Sequence, residues 1–109
     1  MICYRLYTEN VDGAPEKVIR CLLANGFPGA TLQGGIVGWE GDTEKSLVIE
    51  IVLPENPDGE QREMIQALAE SIRVELNQFA VAVASYPVEW YTVTGAKREA
   101  INGGEVIDV

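Results

Sequence analysis

The chain predicts an α+β fold in which a four-stranded antiparallel sheet carries two helices on one face. Three observations point there. Residues 46–53 alternate strictly, with Leu47, Ile49, Ile51 and Leu53 facing one way and Ser46, Val48, Glu50 and Val52 the other, the period of two that a half-buried strand requires. Ile65, Leu68, Ile72, Leu76 and Phe79 recur at three- and four-residue steps, which lays one apolar stripe along a helix. Finally, strand-like and helix-like segments follow in the order strand, helix, strand, strand, helix, strand over residues 1–93 of the 109, a length that suits a single domain. Residues 94–109 stand apart as a C-terminal extension.

The first strand spans residues 2–8, with Ile2, Tyr4 and Leu6 on one face and Cys3, Arg5 and Tyr7 on the other. Asn10-Val11-Asp12-Gly13 breaks it, and Pro15 suits the first turn of a helix. Val18, Ile19, Leu22 and Leu23 then recur at helical spacing, and Asn25-Gly26 stops that helix. Residues 30–39 form the second strand, interrupted by Gly34, Gly35 and Gly38. Glycines inside a strand mark a bulge or a close backbone approach. Residues 40–45 read as a short polar turn into the third strand, so the two pair as an antiparallel hairpin.

Asp58 is placed to cap the second helix, whose stripe Met64 and Ala69 widen. Val81 and Val83 open the fourth strand. Pro87 interrupts it before residues 88–93, which demotes that part to a sheet edge or a bend. The closing Val106-Ile107-Asp108-Val109 is apolar, and the extension is expected to pack on a sheet edge or on a neighbouring subunit.

Two split βαβ units of this kind make the ferredoxin-like plait. Each helix has one apolar stripe, so together they cover one sheet face. The other face carries Val48 and Val52, with Cys3 and Tyr7 from the first strand. An apolar face on a soluble protein calls for a cover, and self-association supplies one, with Val48, Glu50 and Val52 at the interface. Glu50 among valines then needs a partner such as Arg5.

Trp39-Glu40-Gly41, the acidic turn through Glu44 and the strand Ser46-Leu47-Val48-Ile49-Glu50-Ile51 resemble the central hairpin of CutA-like divalent-ion-tolerance proteins. The same architecture resembles PII-type signalling proteins. Both families are trimers of ferredoxin-like subunits whose sheets pack around a three-fold axis, with small ligands or ions in the clefts between subunits. The chain departs from each. Residues 40–45 leave no room for the long PII-type loop, and Asn77-Gln78-Phe79-Ala80 stands where the CutA-like family has a histidine-containing motif. The resemblance therefore implies a trimeric architecture and carries over no binding residue.

Composition narrows the function. The chain has no histidine, which removes the commonest general base and metal ligand. Its net charge of −9 repels a phosphate backbone and an anionic membrane alike, so neither nucleic acid nor membrane is an expected partner. No apolar run approaches the ~20 residues that span a bilayer, and no leading segment resembles a signal peptide. Cys3 and Cys21 are the only cysteines, too sparse for a disulfide scaffold, which predicts two reduced, buried thiols in a cytoplasmic protein.

Glu40, Asp42 and Glu44 alternate around the hairpin turn, but without the ligand spacing of a cation loop they read as a solvated turn. The glycines before them lie between two strands, not at the strand-to-helix junction where a phosphate loop sits. Trp39, Trp90 and Tyr91 are the candidate ligand-binding residues, since aromatic side chains line clefts and interfaces. No catalytic residue, metal ligand or cofactor is assigned. The expected function is a non-enzymatic, self-associating module that binds a small ligand or a protein partner at a subunit cleft. The alternatives are an acidic inhibitor or nucleic-acid mimic, and a small enzyme.

Overall fold

The computed structural model describes residues 1–56, 59–96, 98–101 and 105–108. Its elements are β1 (Ile2–Glu9), α1 (Ala14–Ala24), β2 (Thr31–Trp39), β3 (Asp42–Leu53), α2 (Glu60–Glu75) and β4 (Ala82–Pro87), in the expected order. The four strands form one antiparallel sheet in the order β2-β3-β1-β4. This is the ferredoxin-like plait.

Register decides which side chains meet the helices. Leu6 lies opposite Ile49 and Tyr4 opposite Ile51, which turns Leu6, Leu47, Ile49 and Ile51 toward the helical layer. There they share one cluster with Val18, Cys21 and Leu22 of α1 and Ile65, Leu68 and Ile72 of α2. Burial of each large aliphatic side chain contributes about 1.5–3 kcal/mol. The stripe read from the sequence is thus the core-facing side of α2, as far as Leu76.

Both helices stop in the same way. Past α1, Gly26 takes the left-handed conformation (φ 82°), and the Phe27 and Gly26 amides donate back to the Leu22 and Leu23 carbonyls at 2.9 and 3.2 Å. This paired closure satisfies carbonyls that the helix end leaves free, and glycine enters it without a Cβ penalty. It also turns Phe27 into the core. Past α2, Asn77 (φ 52°) plays the glycine's part, with the Asn77 and Gln78 amides donating to Val74 and Arg73 at 3.1 and 2.8 Å. Phe79 lies beyond this stop and is fully exposed. It does not extend the stripe, because the helical rotation that would bring it round has ended. Met64, expected to widen the stripe, is also exposed. Gly59 precedes α2, and its expected cap, Asp58, lies outside the described residues.

The β2–β3 turn is tighter than the sequence suggests. Glu40 and Gly41 both have positive φ (48° and 86°), and Trp39 pairs directly with Asp42. Two such residues suffice to reverse a hairpin with the native strand twist, so residues 42–45 belong to β3 and not to a turn. The glycines of β2 cause no bulge, since its register with β3 is uninterrupted. Gly35 marks a close approach instead: a Cβ there would sit 3.1 Å from Ser46 Oγ.

β4 is an edge strand that ends at Pro87, opposite Ile2. One further amide, Val88, donates to the Met1 carbonyl at 3.0 Å. Residues 88–96 then run outside any strand, because proline cannot supply the next ladder bond. In the C-terminal extension, β5 (Arg98–Ile101) pairs with β6 (Glu105–Asp108) as a separate two-stranded sheet. Among the described residues these strands add to no edge of the larger sheet.

No described helix is long and apolar enough to cross a membrane. Cys3 and Cys21 are free and buried, at 1% and 6% exposure. Native-state labelling with a thiol reagent is therefore expected to be slow at both and complete only in denaturant, since reactivity needs an accessible thiolate. Rapid modification of either cysteine in the folded protein would contradict their burial.

Candidate functional site

The sheet face away from the helices is built by alternation. β1 sends Cys3, Arg5 and Tyr7 to it, opposite Val52, Glu50 and Val48 of β3. β4 adds Ala82, Ala84 and Tyr86, and β2 adds Thr31 and Gln33. Small and half-buried apolar groups thus surround one ion pair near the centre of the face.

Glu50 finds there the partner expected from the sequence. Arg5 Nε donates to Glu50 Oε2 at 2.8 Å, with 42% and 31% of the two side chains exposed. The Arg5 guanidinium also lies 5.3 Å from the centre of the Tyr86 ring, within range of cation–π attraction. Hydrogen bonds to Glu50, and next to Tyr7, push Arg5 further into its charged form. The Tyr86 phenol is held above its ordinary value of 10.0, first by its hydrogen bond with Cys3 and then by burial. Cys3 is almost fully buried although it points away from the helices.

Two hollows border this face. At one end, Tyr7, Glu9, Glu44 and Ser46 line a hollow of about 240 Å³ together with Thr8, whose Oγ1 is buried without a hydrogen-bond partner among the described residues. At the other end lies a groove of about 330 Å³ between residues 27–31, residues 50–53 and Trp90. Its origin is a mismatch in strand length. The β2–β3 ladder begins with Thr31 opposite Glu50, so β3 runs on through residues 51–53 without a β2 neighbour. In an antiparallel strand the backbone polar groups of successive residues turn to alternate sides. At least one of these three residues therefore offers its N–H and C=O to the groove.

The candidate aromatic residues separate. Trp90, 57% exposed, lines the groove. Tyr91 is exposed and lines none of the hollows described. Trp39 closes β2 against Asp42 at the far end of the hairpin, and its side chain lies outside the described residues. Val48 and Val52 share the open face with Glu50, and Val52 and Glu50 also reach the groove. The 27–31 wall has no signal in the sequence beyond a phenylalanine in a connector, where an apolar ring must find a pocket of its own.

No protein-family model matches the chain, and no curated protein matches it. Among solved structures, the fold is similar to that of a phage SAM lyase in complex with S-methyl-5′-thioadenosine. That likeness has 21% sequence identity, covers 84% of this chain and 92% of that one, and has a TM-score of 0.56. A phage SAM lyase in the apo state is similar at 22% identity over the same shares, with a TM-score of 0.53. These likenesses establish a shared fold.

Chemically, the open face offers a paired guanidinium and carboxylate, two phenols and a buried thiol.

Proposed function

We propose that this chain is a self-associating module, trimeric and cytoplasmic, that binds a small ligand at a cleft bordering its open sheet face. The observation that carries this reading is the Arg5–Glu50 pair, set among Val48, Val52, Tyr7 and Tyr86 on a face the helices leave uncovered. A second copy would complete the burial of those apolar groups, and the pair already satisfies the charge it would bury. The likeness of the central hairpin to CutA-like and PII-type proteins supports a trimer, and two free buried thiols suit a reducing compartment. S-methyl-5′-thioadenosine, the ligand in the similar phage lyase, is the first compound to test.

Native mass spectrometry is expected to show a trimer, and calorimetry with S-methyl-5′-thioadenosine a saturable isotherm. A monomer at micromolar concentration would overturn the assembly, and a flat titration would overturn the ligand. A second reading, a small lyase, draws on the name of the similar protein. Incubation with SAM followed by assay for S-methyl-5′-thioadenosine separates the two, since a binding module releases none.

A further inference from the structure

We propose that the groove beside Trp90 is a purine-nucleoside subsite that selects against phosphorylated nucleotides. The inference rests on the ligand-binding reading above and assigns it a place and a chemical class. Four observations converge on it.

Trp90 stands outside every strand with more than half of its surface exposed, and it lines a concave groove rather than a flat surface. An indole in that setting offers a free π face, on which a flat heterocycle stacks. The groove measures about 330 Å³, near the lower end of the range for small-molecule sites, so it suits one nucleoside and not a dinucleotide. The unladdered end of β3 brings main-chain donors and acceptors to its floor. Main-chain groups of this kind read the polar edge of a base at fixed positions. Thr31 adds a hydroxyl at the mouth.

Charge completes the argument. Among the described residues Glu50 is the only charged one lining the groove, and Arg5 is already bonded to its carboxylate. No lysine or arginine among the described residues lines the groove to receive a phosphate. With a net charge of −9 on the chain, a phosphorylated ligand meets repulsion both locally and at long range. A neutral or cationic nucleoside does not. Val52 and Glu50 belong to the open face as well as to the groove, so a second copy packed on that face would stand at the rim of the subsite.

The test is calorimetry of the full chain with S-methyl-5′-thioadenosine, adenosine and adenosine 5′-monophosphate, with native mass recorded on each sample. Trp90→Ala is expected to weaken nucleoside binding at least tenfold, the usual worth of one stacked base. Trp90→Phe, which keeps a ring, should restore it to within a few-fold. Adenosine should bind at least tenfold more tightly than its monophosphate. In a Trp39→Phe background the remaining indole emission should be quenched saturably by adenosine, which reports on the groove without removing Trp90. Nucleoside binding that is unchanged in Trp90→Ala, or equal affinity for the monophosphate, would overturn the subsite and leave the ligand-binding reading standing. A wild-type protein that binds no nucleoside would overturn both. Normal nucleoside binding by a monomer would remove the assembly and keep the subsite.

Discussion

Val48→Glu is expected to convert the proposed trimer into monomers while leaving the helical signal unchanged. Val48 sits on the open face opposite Tyr7, two residues from Glu50 on the same strand. Among the described residues of that face the one cation, Arg5, already serves Glu50, so a new carboxylate there gains no partner from it. Burying such a charge unpaired costs about 3–5 kcal/mol, which weakens association by roughly two to four powers of ten. The side chain points away from the helical layer, so the core keeps its contacts. Sedimentation and far-ultraviolet circular dichroism on the same sample check both halves of this expectation. An assembly that survives the substitution would place the interface elsewhere.

Leu68→Ala is expected to have the largest effect on stability. Leu68 has no exposed surface and belongs to the cluster formed by α2, α1 and the inner sheet face. Truncating a leucine in such a site costs about 2–5 kcal/mol, a large share of the 5–15 kcal/mol typical of a domain. Urea unfolding should show the loss as a lower midpoint with an unchanged slope. Phe79→Ala is the matched control. Its ring is fully exposed, so its midpoint should stay near that of the wild type, although both residues fall on one helical stripe in the sequence.

That contrast shows where sequence reasoning reached its limit. Ile65, Leu68, Ile72 and Leu76 were legible because periodicity reports a face, and a face is what a helix buries. Phe79 was misplaced because periodicity does not report where rotation stops. The stop lies in the left-handed Asn77, which is a weaker signal than the glycine that ends α1. The hairpin was legible in kind and not in extent, since Glu40 with Gly41 reverses the chain alone and leaves the polar residues 42–45 paired with β2. At the site, alternation put Arg5 and Glu50 on one face, and their pairing followed. The groove was not legible. It arises because β2 stops three residues short of the end of β3 and because residues 88–96 leave the sheet, and neither event has a local signature.

Among the described residues β2 pairs only with β3, so its outer side is a free sheet edge. The strand reads Thr-Leu-Gln-Gly-Gly-Ile-Val-Gly-Trp, without one charge or proline, and Ile36 and Val37 are exposed along it. Edges are commonly protected from uncontrolled strand addition by lysine, proline or a bulge, and this one has none of them. The mutual repulsion of molecules that each carry nine excess negative charges opposes the approach of two such edges. High salt screens that repulsion. Colloidal stability in this protein therefore belongs to its whole surface, because the strand most prone to templated growth carries no safeguard of its own.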